Sequence, residues 1–242
     1  MNLSTSLKNF KKIHRKKYNQ SIYYSESCKD YNFIENLYKF ILVQKNSFIF
    51  ESVEKGKIRG RYTIIGFNPD KIYNINKNKV VIDSFNNKKI IKTNTLQYLN
   101  DLIKNFKVKS SNKLPRMSSM LVGYFSYDII RLIERIPDKC KKDISIPDIR
   151  LMRPKNLIIY DNLKKKIFFI QNVFKDEIIE NYELKYSLIS KSFKEFQNFG
   201  KIKLPEHFHK NLKSSVIKSN ITKKMFKNNV LKAKKYIKKG DI

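Results

Sequence analysis

The chain has 242 residues, with 52 Lys and Arg against 21 Asp and Glu, which gives a formal net charge of +31. Hydrophobic residues make up 41% and aromatic residues 13%, which is too apolar for a disordered chain and enough for a substantial core. No apolar run reaches the roughly 18 residues that a membrane-spanning helix needs. Two cysteines, Cys28 and Cys140, are too few for a disulfide framework and favour a reducing, cytoplasmic compartment.

The positive charge first suggests a nucleic-acid partner. However, the chain has 44 lysines and only eight arginines, and the lysines are spread along its whole length. Arginine is the residue whose planar fork binds phosphate in a bidentate manner. The chain also has a single alanine and many Asn and Ile residues, a composition typical of A/T-rich codons. We therefore attribute the charge to genome composition and predict no specific nucleic-acid partner and no membrane partner.

Residues 1–19 are a basic segment without an acidic residue. Lysine dominates there, whereas organelle transit peptides prefer arginine. The segment therefore predicts a surface helix leading into the fold, with a transit peptide as the alternative.

Hydrophobic periodicity predicts the following elements in chain order. The first half contains a helix over 31–45, strands over 47–53 and 61–67, three short strands over 71–75, 79–85 and 88–92, and a helix over 95–106 capped by Thr95. The second half contains an almost fully buried strand over 120–127, a short helix capped by Asp128, a hairpin of 156–160 and 166–174, and helices over 177–198 and 222–239. The hairpin and the Asn-rich turns indicate antiparallel pairing. The pattern predicts an α+β fold with a mixed, mostly antiparallel sheet.

Motifs that carry chemistry are scarce. The sequence contains no phosphate-binding loop, no zinc-protease motif and no nucleophile elbow. His207 and His209 have the spacing of a metal pair on a strand, but no further ligand residues surround them except Glu206. These patterns alone predict no catalytic residue and no metal site.

Four segments together resemble anthranilate synthase component I. They are Glu51-Ser52-Val53-Glu54 followed by Gly60-Arg61-Tyr62-Thr63, the run Val122-Gly123-Tyr124-Phe125-Ser126-Tyr127-Asp128, the stretch from Arg153-Pro154 to Asp161-Asn162, and the stretch from Ser219-Asn220 to Gly240-Asp241-Ile242. They occur in the order of that family and at about its spacing. The chain departs from the family pattern where Ser119-Met120 replaces a Gly-Gly pair and Thr63 replaces a common serine.

The resemblance implies an enzyme that makes anthranilate and pyruvate from chorismate and glutamine-derived ammonia, in tryptophan biosynthesis. It implies Mg²⁺ as cofactor, a glutamine amidotransferase subunit as partner, and feedback inhibition by L-tryptophan. In that family the catalytic, chorismate and Mg²⁺ residues follow the Gly-Asp-Ile turn, so we expect this chain alone to be inactive. Aminodeoxychorismate synthase component I and a non-catalytic tryptophan-sensing or subunit-binding module are the alternatives.

The resemblance also divides the chain. We expect a basic N-terminal segment over 1–19, an N-terminal regulatory domain over 20–198, a linker over 199–219, and the truncated start of the chorismate-binding catalytic domain over 220–242. We expect apolar surface, including the inner face of the last helix, to be exposed on such a piece.

What the resemblance carries over to this chain is the effector site. Ser52 matches a serine that helps to hold tryptophan in the family, which makes it the strongest candidate. Glu51 could meet the ammonium group, and Arg61 could meet the carboxylate or brace the loop. The alternatives are a turn-capping hydroxyl for Ser52 and a surface or structural ion pair for Arg61.

Overall fold

The computed structural model describes residues 3–28, 31–51, 60–84, 87–137, 144–197 and 219–241. The chain divides into two compact units, Met1–Ile202 and Lys203–Ile242. The helices are α1 (Leu7–Arg15), α2 (Tyr31–Leu42), α3 (Thr95–Asn105), α4 (Tyr182–Gln197) and α5 (Lys223–Lys239), with one 3₁₀ helix (Tyr127–Leu132). The strands are β1 (Asn19–Ser27), β2 (Phe48–Phe50), β3 (Tyr62–Asn76), β4 (Lys79–Ser84), β5 (Asn87–Lys92), β6 (Val108–Lys109), β7 (Val122–Phe125), β8 (Ile149–Asp161) and β9 (Lys166–Val173).

The described strands form a single sheet in the order β5-β4-β3-β8-β9-β1-β6, to which β2 and β7 are added beside β3 and β8. Every pairing is antiparallel except that of β1 with β6. Short connections explain this for β3–β4 and β8–β9, because a short turn can join only antiparallel strands. The pairings of β3 with β8 and of β1 with β9 join segments that are distant in sequence. The predicted α+β fold with a mixed, mostly antiparallel sheet is confirmed.

The central strands β3 and β8 are longer than predicted. The two segments predicted at 61–67 and 71–75 form one continuous strand, because β8 pairs with both of them. The register shifts between Pro69 and Lys71, where Asn68 takes a left-handed φ of 52°. The strand therefore bends at this bulge without ending.

One face of the sheet is covered by α1, α2 and α4. Their apolar side chains form a cluster that includes Phe10, Leu37 and Phe193, each with no exposed surface, together with Phe169 from β9. The basic N-terminal segment, predicted as a surface helix, is packed against the core through the buried side chain of Phe10. Strand β1 was not predicted, because Asn19–Ser27 is mostly polar and forms a strand through its pairing with β9.

Two smaller clusters cover the other parts of the sheet. Leu157, Ile159 and Phe168 pack beneath the segment that contains Leu114. At the far end, Tyr73, Ile75, Val80, Ile149 and Leu151 are packed against Tyr98, Leu99 and Leu102 from α3. Strands β3 and β8 contribute side chains to all three clusters.

Helix α3 begins at the predicted residue but has a different cap, and α4 begins later than predicted. The cap of α3 is Asn94, whose side chain accepts a 3.0 Å hydrogen bond from the Gln97 amide, while the Thr95 hydroxyl binds the Lys77 carbonyl. Helix α4 begins at Tyr182, where the Asn181 side chain accepts from the Leu184 amide at 2.9 Å. Ile178, which falls within the predicted range of this helix, precedes the observed helix and is 89% exposed.

The segment around β7 is less buried than predicted. Val122 is buried, but Gly123, Tyr124 and Phe125 are exposed. The helix that follows is a 3₁₀ helix beginning after Ser126, and Asp128 pairs with Arg131 at 3.0 Å instead of capping it. The apolar run predicted an almost fully buried strand, but within the described residues it pairs only with the first residues of β8.

The second unit contains α5, which was predicted at nearly these bounds. Thr222 caps it by accepting from the Met225 amide, and Gly240 ends it with a φ of 74°, a conformation that glycine adopts without strain. Its large apolar side chains, among them Phe226, Val230 and Ile237, are exposed, as expected. None of the described helices combines the length and the apolar character that crossing a bilayer requires. The predicted linker lies outside the described residues except for Ser219.

Candidate effector site

In the sequence, the three predicted effector residues lie in the connection between β2 and β3. Ser52, the strongest candidate, lies outside the described residues. Glu51 follows the last residue of β2, and Arg61 directly precedes β3. Phe50 pairs with Ile64, so Glu51 lies at the level of Thr63, at the same end of the strand pair as Arg61.

Glu51 faces the helical side of the sheet. Its Oε1 atom accepts a 2.8 Å hydrogen bond from the hydroxyl of Tyr38, which belongs to α2. Alternation along β2 gives the same result, because Ile49 packs into the helical cluster whereas Phe48 packs into the opposite one. The Glu51 carboxylate is exposed and keeps acceptor capacity beyond the Tyr38 contact.

Arg61 makes a bidentate ion pair with Asp161 at the end of β8. Its Nε atom donates to Oδ1 at 3.1 Å, and its Nη2 atom donates to Oδ2 at 2.6 Å. The carboxylate also accepts from the backbone amides of Leu163 and Lys164, at 3.1 and 3.0 Å. The structural ion pair that was left open for Arg61 is therefore present, and its Nη1 atom has no partner among the described residues.

The Asp161 carboxyl is only 2% exposed. Burial raises its pKa, but the hydrogen bonds from Arg61 and from the two backbone amides act in the opposite direction, and the net pKa lies below its ordinary value. Asp161 is thus held as a carboxylate, and it fixes the guanidinium of Arg61 at the mouth of a cavity.

This cavity, the Arg61 cavity, has a volume of about 410 Å³. Its walls combine an apolar floor with cationic side chains, and its lining residues are Arg61, Tyr62, Asn112, Lys113, Leu114, Pro115, Asp161, Lys164, Lys166 and Phe168. Four cations and one carboxylate give it a positive balance. Such a cavity suits a ligand that has a carboxylate at one end and an apolar body at the other.

The structure does not bring the two described candidates together. Glu51 does not line the Arg61 cavity and faces α2, whereas the floor of the cavity belongs to the opposite cluster. The effector roles of Ser52, Glu51 and Arg61 stay predictions. Asp161 was not predicted as the partner of Arg61. The available signal was the Asp-Asn pair at 161–162, because Asp and Asn side chains commonly accept backbone hydrogen bonds in turns.

The Asp161 ion pair leads to a prediction on pH dependence. The folded-state pKa of Asp161 is lowered, so its stabilisation is complete above the unfolded value of about 4 and is lost as the pH falls through the folded value. We expect Asp161→Asn to lower the free energy of unfolding by about 1.5–3 kcal/mol at pH 7. The difference should shrink at pH 3, where the wild-type carboxyl is protonated more often. Urea denaturation at both pH values measures it.

The matched control is Asp101→Asn, which neutralises an exposed carboxylate on α3. This change should leave the stability within about 0.5 kcal/mol at both pH values. Equal effects of the two substitutions would contradict the role assigned to Asp161.

The described residues contain no grouping that suits a metal ion. Among the described residues, no group of three or more His, Cys, Asp and Glu side chains comes close enough together to hold a metal ion. His207 and His209 lie outside the described residues. The Mg²⁺ implied by the resemblance stays a prediction.

Known proteins share both the fold and the sequence features of this chain. The crystal structure of anthranilate synthase component I from Streptococcus pneumoniae TIGR4 matches with a TM-score of 0.55 and 22% identity, over 79% of this chain and 42% of that one. This likeness establishes the α+β fold. Residues 45–242 also match the family described as chorismate binding enzyme, and the chain belongs to that family.

Two relatives that match most of this chain carry the same name. Anthranilate synthase component 1 from Acetivibrio thermocellus is 32% identical over 234 residues, covering 89% of this chain and 47% of the relative. The protein of the same name from Cereibacter sphaeroides is 25% identical over 244 residues, covering 98% of this chain and 49% of the relative. The predicted resemblance to anthranilate synthase component I is confirmed. The chain spans about half the length of these curated relatives.

Proposed function

We propose that this chain forms the N-terminal part of an anthranilate synthase component I. The complete protein is a lyase that converts chorismate and ammonia into anthranilate and pyruvate, with water as the third product. The observation that carries the proposal is the 32% identity to the Acetivibrio thermocellus protein across 89% of this chain. The reaction belongs to tryptophan biosynthesis in the cytoplasm, and it requires Mg²⁺.

The partner is a glutamine amidotransferase subunit, anthranilate synthase component II, which supplies the ammonia. The part of the chain that the structure describes contains no grouping suited to this chemistry, so the 242-residue chain alone is expected to be inactive. Its own role is regulatory: it carries part of a site for L-tryptophan at the end of the β2–β3 pair.

The features of the Arg61 cavity support this regulatory role. Tryptophan combines a carboxylate, an ammonium group and a large apolar ring. The unpaired Nη1 atom of Arg61 and the surrounding lysines suit the carboxylate, while Tyr62 and Phe168 give the cavity an aromatic floor. Glu51 lies on the other face, so we assign it a weaker contribution than Ser52 and Arg61.

The test of the function begins with the coding sequence beyond codon 242. The complete protein is then produced with its amidotransferase subunit and assayed for anthranilate by fluorescence, with chorismate, glutamine and Mg²⁺ supplied. Formation of anthranilate is the expected result. Formation of aminodeoxychorismate would assign the protein to the other branch, and a stop codon at 243 would favour a non-catalytic tryptophan-sensing module.

The regulatory site has its own test in the complete enzyme. We expect Ser52→Ala to raise the tryptophan concentration that gives half inhibition, while the activity without tryptophan changes little. A coupling free energy of roughly 1–3 kcal/mol corresponds to a change of about 5–150-fold, which bounds the effect.

Ser47→Ala is a matched control, because Ser47 precedes β2 and its hydroxyl donates to the carbonyls of Ile41, near the end of α2, and of Gln44. Unchanged tryptophan sensitivity of Ser52→Ala, with normal activity, would remove Ser52 from the effector site.

A further inference from the structure

A second cavity is lined by residues that precede and follow, in sequence, residues 112–115 of the Arg61 cavity. It has a volume of about 290 Å³ and opens where α3 ends and β6 begins. Two cations, Lys107 and Arg116, and three hydroxyls, from Ser110, Ser118 and Ser119, provide its polar lining. No lining residue is shared with the Arg61 cavity.

The charge of this cavity is unbalanced. No carboxylate is among its lining residues, and neither the Lys107 ammonium nor the Arg116 guanidinium forms an ion pair with any described residue. The C-terminal end of α3 carries roughly half a negative charge, which is smaller than the two full positive charges facing it. The net field in the cavity therefore favours an anion.

A second observation points to a missing partner. The Ser119 Oγ atom is fully buried and makes no hydrogen bond within the described residues. Buried hydroxyls nearly always have a partner, because burial without one removes their hydrogen bonds to water. A bound ligand with acceptor atoms would supply the partner that this hydroxyl lacks.

We propose that this cavity binds a phosphate group, either as inorganic phosphate or as the phosphate of a small metabolite. The tetrahedral dianion offers acceptors in several directions, which suits a lining that contains three hydroxyls and two cations. The guanidinium of Arg116 is suited to binding two of its oxygens. The apolar walls formed by Ile103 and Phe106 leave room beside the phosphate for a small carbon skeleton.

The test measures binding of phosphate to the 242-residue chain by calorimetry at constant ionic strength. Three probes are compared: inorganic phosphate, glycerol 3-phosphate and acetate. Binding of either phosphate probe, stronger than that of acetate, is expected. Tighter binding of the ester would identify a metabolite phosphate, and tighter binding of inorganic phosphate would identify the free ion. Equal binding of acetate, or no phosphate binding, would overturn the proposal.

Variants locate the site. We expect Arg116→Gln to weaken phosphate binding about tenfold or more, since it removes a charge-assisted hydrogen bond. Lys104→Gln is the matched control, because it removes an exposed positive charge from α3 outside the cavity. A loss of the same size in both variants would reveal a general effect of surface charge and would overturn the assignment.

Ser119→Ala separates binding from a structural role. Without phosphate this variant should melt at the wild-type temperature or above it, because the hydroxyl it removes has no protein partner. With phosphate it should gain less stabilisation than the wild type. A lower melting temperature in phosphate-free buffer would assign the hydroxyl to the fold and contradict the proposal.

Discussion

Replacing Arg153 with alanine is expected to destabilise the regulatory unit by about 3 kcal/mol. Arg153 lies in β8 opposite Lys71, beside the bulge of β3, and its side chain is only 9% exposed. It donates to Asp70 through Nε at 2.8 Å and to Asp176 through Nη2 at 3.0 Å, and its guanidinium lies 3.9 Å from the centre of the Phe174 ring. Its removal would leave two carboxylates facing each other without the cation between them.

The cost should depend on pH. Burial raises the pKa of Asp176, but hydrogen bonds and charge from Lys71 and Arg153 lower it to a net value below the ordinary one. In the variant the lowering by Arg153 is lost, so acid should protonate Asp176 more readily and reduce its repulsion with Asp70. We therefore expect the stability difference between the wild type and Arg153→Ala to be largest at pH 7 and to narrow below pH 4.

The control for this experiment is Arg150→Ala. Arg150 belongs to the same strand but donates to the side-chain oxygens of Asn74 and Asn46, not to a carboxylate. Its removal should lower the free energy of unfolding by about 1 kcal/mol, and this difference from the wild type should not narrow comparably at low pH. If both variants unfold at the same urea concentration at pH 7, the network around Arg153 does not have the importance we assign to it.

Gly123→Ala is expected to detach β7 from the sheet. A Cβ atom at this position would overlap the Arg150 carbonyl oxygen and would lie 2.7 Å from its carbon and 2.9 Å from the Leu151 Cα. These are backbone atoms of β8, so no side chain can rotate to relieve the contact. Because β7 pairs with β8 over only four residues, we expect a loss of about 3 kcal/mol, near the upper end for overpacking.

Hydrogen exchange measures this effect at the level of single strands. The amides of β7 should lose protection in Gly123→Ala while those of β9, which pairs with the other half of β8, keep theirs. Ser126→Ala is the control, since the buried Ser126 hydroxyl has no hydrogen-bond partner among the described residues. Wild-type protection of β7 in the glycine variant would show that the strand can move away at little cost.

The parts of the fold that the sequence predicted are those with local signals. Helix α5 has apolar residues at helical spacing, a threonine cap and a terminal glycine, and its bounds were predicted to within one residue. The hairpin of β8 and β9 was signalled by Asp161-Asn162 between two apolar runs. In each case the residues that define the element lie within a few positions of one another.

The parts that were missed depend on distant partners. Asn19–Ser27 has little β-pattern of its own and becomes a strand through pairing with β9. Asn68 and Pro69 look like the end of a strand, but β8 continues past them. The ion pair of Arg61 with Asp161 joins residues a hundred positions apart, and no local pattern encodes it.

The pairing of β3 with β8 also determines how the chain can fold during synthesis. Tyr62 pairs with Asp161 and Ile75 with Ile149, so the centre of the sheet joins segments far apart in sequence. Hairpins such as β4–β5 can form early, but the middle of the sheet must wait until the ribosome has released residues beyond 161. Until then β3 has an unpaired edge that could pair with another chain. Folding of this unit should thus be slow compared with that of a helical protein of the same size, and it should benefit from protection of nascent chains against aggregation.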